Sequence, residues 1–428
     1  MIGLTSESTP LRDASEVADF ARRCFQPAAR GPDAEERVGV ELEFLVFDRA
    51  AAAAQVPMAE VERAVPALPG GSRVTFEPGG QLELSGPAAP LRDALDLLAA
   101  DVSAVRAALR PAGLVLAGVG LDPVRPARRQ LHLPRYDAMA EFLGEPYGAL
   151  MMCSTASVQV NLDLGERPQA RWERAHALGP VLMAAFANSP LSGGRPCGWM
   201  SGRQAVWDRL DRTRTAPVPA SADPAADPAV DPAVDWAEYL LDARLMLVRE
   251  DGERCRPVRD GSTFRDWLNG AGERRPTADD LAYHATTVFP PVRPRGWLEI
   301  RYLDAQHPAA WPVCVAVTHA LVTDDRAADA ALAAVEPYLG SGRTPGRELW
   351  RDAARCGLSE PRLGRAAEAC FRAALEALPR LGADPGLVGA VAAFADRHVT
   401  PGRSPAADLM DPVPGRRVPA WLNGEGRQ

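Results

Sequence analysis

The sequence predicts an α+β fold in which short strands, several of them carrying glutamates, precede a run of helices. Three observations carry this expectation. Residues 38–48 (Val-Gly-Val-Glu-Leu-Glu-Phe-Leu-Val-Phe-Asp) read as a strand rich in Val, Leu and Phe. Residues 74–77 and 82–85 flank Pro78-Gly79-Gly80, which supplies both a fixed and a positive φ and so predicts a hairpin. From Asp324 onward the chain is Ala-rich with helical spacing over 326–339, 347–355, 362–378 and 386–398.

Between these segments the order of elements is readable. Residues 91–109 repeat apolar positions at helical spacing until Pro111 and Gly113 stop them. Residues 114–120 and 156–164 read as strands, the second with Val158, Val160 and Leu162 on one side. Helices are expected over 171–186, from 277 to 285, and near 311–322 behind a strand at 296–302. Over 216–235, Asp-Pro recurs at Asp223-Pro224, Asp227-Pro228 and Asp231-Pro232; each Pro removes a donor and extends the residue before it, which predicts a surface loop, with an active-site lid as the functional alternative. The expected organisation is a core over 1–323, a helical layer of the same domain over 324–400, and a loose tail over 401–428.

Composition excludes several chemistries. The chain has no lysine, so its 48 basic residues are all arginine. A P-loop lysine, a Schiff-base lysine and a protein-kinase strand lysine are therefore impossible, and any protein cation that holds phosphate is arginine. The net charge of −8 argues against nucleic acid. No run of about 18 apolar residues offers a membrane span, and the first ten residues lack the basic-then-apolar order of a signal peptide, so cytoplasm is the expected compartment. Seven scattered cysteines form no CxxC and read as reduced structural thiols.

The chemical signal lies in the strands. Glu41 and Glu43 are two apart and share a face, opposite Val40, Leu42 and Phe44; Gln81, Glu83 and Ser85 share a face, with Glu77 beside the turn; Trp297, Glu299 and Arg301 share a third. Any one of these is compatible with a solvated sheet face. Together they place a residue type disfavoured in strands where the flanking sequence is most strand-like. Converging carboxylates repel unless cations neutralise them, and an oxygen-only donor set selects hard cations such as Mg²⁺ or Mn²⁺, which a triphosphate also needs. Gln159 and Asn161 put two amides on one strand face, suited to a polar substrate, an outer metal shell or an ordinary sheet surface. Arg203, Arg214 and Arg301 are the candidate ligands for carboxylates or phosphates, with Trp207 nearby. His176 and His319 fall in helices and read as packed or surface residues; His284, beside Thr286 and Thr287, is the one histidine read as functional. No GxSxG elbow occurs.

These residues stand in blocks that resemble the glutamate–cysteine ligases of the plant and actinobacterial type: Gly39-Val-Glu-Leu-Glu43, Phe76-Glu-Pro-Gly-Gly-Gln-Leu-Glu-Leu-Ser-Gly86, Ser157-Val-Gln-Val-Asn-Leu-Asp163, Phe186-Ala-Asn-Ser-Pro190, 198–203 through Trp207, His284-Ala-Thr-Thr-Val-Phe-Pro290 and Trp297-Leu-Glu-Ile-Arg301. The resemblance covers about 38–315, in the family's order. It implies a glutamine-synthetase-like curved, largely antiparallel sheet forming an active-site funnel, helices outside, and ATP with two or three Mg²⁺ ions (Mn²⁺ as an alternative). It implies glutamate and cysteine as substrates, γ-glutamyl phosphate as intermediate and γ-glutamylcysteine as product. Carried over by position, Glu41, Glu43, Glu83, Glu299 and Glu77 are metal ligands. Arg301 and Arg214 stabilise phosphate charge, Arg203 holds a substrate carboxylate or phosphate, and Asn161, Asn188, Trp207 and His284 line the substrates. Gln159 stands where some bacterial branches carry a metal-ligating histidine. The high-GC composition and the Met152-Cys-Ser-Thr-Ala-Ser157 lead-in resemble the actinobacterial branch, whose product feeds ergothioneine synthesis. Two rivals are a carboxylate–amine ligase with another acceptor and a catalytically silent nucleotide- or metal-binding regulator. Nothing in the sequence sets an oligomeric state; a monomer is compatible with it.

Overall fold

The strand over 38–48, β1 (Val38–Asp48), is the one around which the sheet is built. A computed structural model describes residues 9–27, 35–219, 231–250, 254–340 and 344–411. Along β1, Val38, Val40, Leu42 and Phe44 are buried in the main core while Glu41 and Glu43 face the other way. Past Phe44 that other face turns apolar. Leu45 and Phe47 join Ala117, Val119, Ala156 and Ala305 in a separate buried cluster that continues this face beyond the two carboxylates.

The hairpin forms as expected, with β2 (Arg73–Phe76) and β3 (Leu82–Ser85) joined through the Pro-Gly-Gly turn. Gly80 has φ of +87°, and a Cβ on Gly79 would lie 2.2 Å from the Cys153 carbonyl oxygen, so both glycines are required. β4 (Leu114–Ala117) pairs with the far half of β1, and β5 (Ser157–Leu162) with its near half. Two small hairpins follow, β6 (Leu191–Ser192) with β7 (Arg195–Pro196) and β8 (Leu247–Arg249) with β9 (Cys255–Pro257). β10 (Val292–Pro294) and β11 (Leu298–Asp304) complete a seven-stranded sheet of order β10-β11-β5-β1-β3-β2, with β4 off β1 and every pairing antiparallel. Prolines are confined to its edge, as Pro294 in β10.

One irregularity matters for the site. Ile300 pairs with Val160 but Leu303 with Val158, so β11 carries an extra residue. This bulge shifts the phase of the strand. Leu303 goes to the core with Tyr302, and Asp304 comes to the polar side that Glu299 and Arg301 occupy.

Helix Trp311–Thr323, buried along nearly its whole length, packs behind β5. The C-terminal helices Asp325–Val335, Arg347–Cys356, Pro361–Ala377 and Pro385–Phe394 share the same core, where Phe186, Phe371 and Phe394 meet at ring distances of 5.1–6.0 Å. The tail differs from expectation. Residues 405–410 form a helix, Ser404 Oγ donates to the Ala184 carbonyl and accepts from Leu358 N–H, and Ala406 N–H bonds to Ala187, so 401–411 is packed rather than loose. Residues 412–428 lie outside the described residues.

The Asp-Pro loop also ends earlier than the repeat suggested. Asp231 caps helix Pro232–Asp242, with Pro232 at the first helical position, where no N–H is needed. Trp236 and Leu240 of that helix are core residues. Residues 220–230 lie outside the described residues. A front layer not foreseen from the sequence, helices Pro134–Leu143 and Ala149–Ser154, covers the glutamate side of the sheet with Met139, Met151, Met152, Val206 and Met246. None of the seven cysteines is joined in a disulfide, and no described helix is long and apolar enough to cross a membrane.

The buried histidines carry a pH dependence. His176 and His284 each give one ring nitrogen to a backbone carbonyl, Trp172 and Leu240, while neither ring nitrogen of His319 has a partner. Burial pulls His176 and His319 down to about 4, and burial followed by Arg214 pulls His284 down to about 3. All three are neutral when folded and gain a proton when unfolded. The contribution of these histidines to stability is therefore full above the ordinary imidazole value and falls as pH drops from about 6.5 towards 4, by on the order of 1–2 kcal/mol per histidine at pH 5. Urea midpoints at pH 7.5, 6 and 5 measure this slope, and His319→Leu flattens it; an unchanged slope in that variant removes His319 from the account.

Candidate active site

The sheet registers bring the carboxylates together. Glu43 sits opposite Glu83 across β1 and β3, and Glu77 follows β2 at the turn. One carboxylate oxygen from each of Glu43, Glu77 and Glu83 lies within 4.8 Å of the other two. Each of the two strand glutamates is held from outside the group. Glu43 accepts from Ser157 N–H (2.8 Å) and Gln159 Nε2 (3.0 Å), and Glu83 accepts from Thr75 Oγ1 (2.6 Å) and Ser85 Oγ (3.1 Å). Glu41, one pleat away, accepts from Asn161 Nδ2 at 3.0 Å.

Electrostatics show that this cluster is under-neutralised. Burial, and after it Glu83, pushes the Glu43 carboxyl up to about 7, against the pull of Arg203. Burial, then Glu43 and Glu83, pushes Glu77 up to about 8, and burial followed by Glu299 and Glu83 also raises Glu41. Near neutral pH the group holds protons where a cation would fit better. Three clustered carboxylates with no His or Cys suit a hard divalent cation, whose charge would favour their ionised forms.

The other half of the same sheet face is arginine. Glu299, 1% exposed, is gripped by Arg293 (Nε 2.6 Å, Nη2 3.2 Å) and Arg301 (3.0 Å), with Arg295 at 3.4 Å. Burial alone would raise Glu299, but Arg293 and Arg301 override it and hold the carboxyl well below its usual range. Arg301 Nη1 also donates to Gln159 Oε1 at 2.7 Å, so the Gln159 amide links Arg301 on one side to Glu43 on the other. Glu299 and Glu41 thus line the funnel but stand outside the carboxylate trio, Glu299 inside a guanidinium cage.

Arg203 enters from helix Gly202–Trp207, which Ser201 caps. It is 4% exposed; Nη2 donates to the Arg301 carbonyl (2.9 Å), while Nε and Nη1 have no partner. Its guanidinium lies 5.6 Å from the Trp207 ring, which meets Phe289 edge-on. The funnel has a volume of about 270 Å³ and is walled on its apolar side by Tyr136, Met139, Met151, Met152, Trp207 and Phe289. A larger cavity of about 900 Å³ lies by the β8–β9 hairpin and mixes charges of both signs without bringing carboxylates together.

Of the residues singled out from the sequence, Glu41, Glu43, Glu77, Glu83, Glu299, Arg301, Arg203, Gln159 and Trp207 line this funnel, and Asn161 touches it through Glu41. Arg214, Asn188 and His284 do not line it. Arg214 is fully buried, donates to the Thr287 and Arg244 carbonyls and lies over Phe142. The Asn188 amide ties Gly118 to Ala305, and His284 packs on Phe264. Sequence reasoning missed Arg293, Arg295, Ser157 and Tyr136. The signal for the first two was present: Arg293-Pro-Arg295 has the same two-residue spacing as Glu41 and Glu43, and β10 pairs Arg293 with Glu299.

Comparison with known proteins agrees with this geometry. The family model described as glutamate–cysteine ligase family 2 matches residues 37–423. Glutamate–cysteine ligase EgtA of Mycobacterium tuberculosis is 41% identical over 436 residues, covering 98% of this chain and 94% of the relative. Glutamate–cysteine ligase EgtA of Mycolicibacterium smegmatis is 43% identical over 402 residues, with coverages of 90% and 89%. The chloroplastic glutamate–cysteine ligase of Medicago truncatula is 34% identical over 250 residues, 55% of this chain and 47% of that protein. With its carboxylate and arginine residues gathered on one sheet face and a family match spanning nearly all of its length, the chain belongs to glutamate–cysteine ligase family 2.

Proposed function

We propose that the protein joins the γ-carboxylate of glutamate to the amine of cysteine at the expense of ATP, giving γ-glutamylcysteine, ADP and phosphate, for ergothioneine synthesis. The observation that carries this reading is the carboxylate trio facing an arginine cluster across one buried funnel. Glu43, Glu77 and Glu83 would hold Mg²⁺, with Glu41 flanking them. When bound, the ion would neutralise charge on the triphosphate.

The chain's own residues do the rest. Arg301, fixed by Glu299 and Gln159, stands where negative charge grows as the terminal phosphoryl passes from ADP to the glutamate carboxylate. A P–O bond to the carboxylate forms as the bond to the ADP oxygen breaks. The cysteine amine then forms the amide C–N bond, phosphate leaves, and the amine proton is released. Arg203, with two unpartnered donor atoms, supplies a second oxyanion contact. The apolar wall excludes water from the acyl phosphate.

Phosphate release measured with ATP, glutamate and cysteine tests the reading. Release is expected to need all three, to stop on EDTA treatment and to return with Mg²⁺. Release indifferent to EDTA removes the metal role; equal rates with other amines make the protein a ligase of another acceptor; no release makes it a silent binder.

A further inference from the structure

Asp304 ends β11 and takes no part in the chemistry above, yet it is a 2% exposed carboxylate to which two separate segments are tied. Its Oδ2 accepts from Asn188 N–H (2.9 Å) and Ser189 Oγ (2.7 Å), and its Oδ1 accepts from Ser201 Oγ (2.9 Å). Each serine commits its single hydroxyl proton to the carboxylate, which leaves only lone pairs for its other neighbours. Ser189 Oγ accepts from Arg203 N–H (3.1 Å), and Ser201 Oγ from Gln204 N–H (3.2 Å). One hydroxyl therefore holds the backbone N–H of Arg203 and a second holds that of the next residue, Gln204, and Asp304 sets the direction of both.

Charge follows the same line. Apart from burial, Arg203 is the leading influence on the Asp304 carboxyl, and Asp304 the leading one on the Arg203 guanidinium. The space is made for this carboxylate, since a Cβ on Gly120 would lie 2.5 Å from its Cγ. The β11 bulge is what turns Asp304, not Leu303, to this side.

We propose that Asp304 is the positioning residue of Arg203: through Ser189 and Ser201 it holds the guanidinium with its unpartnered Nε and Nη1 aimed at a substrate oxyanion, either a nucleotide phosphate or an amino-acid carboxylate, without touching substrate itself. This rests on the ligase reading of the funnel. The test is a double-mutant cycle of Arg203→Gln and Asp304→Asn, with kcat, KM for ATP, KM for glutamate and thermal midpoint measured for each. Arg203→Gln is expected to raise one of the two KM values by about ten-fold or more. A rise for ATP identifies a phosphate partner, a rise for glutamate a carboxylate. Asp304→Asn raises that same KM by about three- to ten-fold, and the double variant is no worse than Arg203→Gln within about two-fold. Ser201→Ala shifts the same KM in the same direction and runs the cycle if Asp304→Asn does not fold. Losses that multiply in the double variant, or lower thermal midpoints at unchanged KM values, overturn the role of Asp304 and leave the ligase reading in place. Unchanged kinetics in Arg203→Gln overturn both this inference and the assignment of Arg203, while phosphate release with and without EDTA still decides the ligase reading separately.

Discussion

Glu43→Gln is expected to lower kcat/KM by about three orders of magnitude while leaving the protein folded. The substitution keeps the shape of the side chain and its acceptor for Ser157 N–H, but removes a charge from the centre of the trio and places an NH₂ where Gln159 Nε2 already donates. Two further results follow from the raised carboxyls. A carboxylate whose folded value lies above its unfolded one stabilises the fold fully below about 4.5 and loses that contribution as pH rises through the folded value. With Glu43 near 7 and Glu77 near 8, the contribution of these two carboxyls to the stability of metal-free protein should fall between about pH 4.5 and 8, opposite in sign to that of the buried histidines below about 6.5, and Mg²⁺ should offset the loss increasingly over that range. Glu43→Gln should accordingly be more stable than the parent at pH 8 without metal, and should respond less to Mg²⁺. Thermal midpoints at pH 6 and 8, with Mg²⁺ or EDTA, measure both. An Mg²⁺ response identical in parent and variant would remove Glu43 from the metal site.

Arg301→Gln is the second large effect, a loss of about two to three orders of magnitude in kcat with a smaller change in KM. Among the described residues, Arg301 is the single guanidinium that bonds both Glu299, at 3.0 Å, and the Gln159 amide, at 2.7 Å. Glu299 keeps Arg293 after the substitution, so the sheet survives. One nitrogen, Nη1, makes both contacts, so Arg301→Lys could keep them, but it should not rescue kcat, because a compact ammonium lacks the planar fork that meets an oxyanion at two points. Full kcat in Arg301→Lys would show that only the charge matters; full kcat in Arg301→Gln would remove the residue from catalysis.

How much of this was legible beforehand varied by residue. The Glu41/Glu43 spacing and the Pro-Gly-Gly turn predict their local geometry, because the pleat period and the φ demands of a turn act over a few residues. Asn188 and His284 lie in motif blocks and Arg214 follows one, yet each points into packing: a motif locates a segment but not the direction of every side chain in or near it. The front helices carrying Met139, Met151 and Met152 have weak apolar periodicity, since the funnel wall and the front core share one surface.

By itself, then, the sequence determined that any protein cation holding phosphate is arginine, that glutamates would share strand faces, and that helices would follow strands. Only the tertiary structure decided which glutamates meet. Strand register sets Glu43 against Glu83, and pairing with β10 sends Glu299 to the arginines instead. Likewise, one extra residue in β11 turns Asp304 towards the serines beneath Arg203. Register and bulges depend on hydrogen bonds between residues far apart in the chain, and periodicity within a single strand carries no information about them.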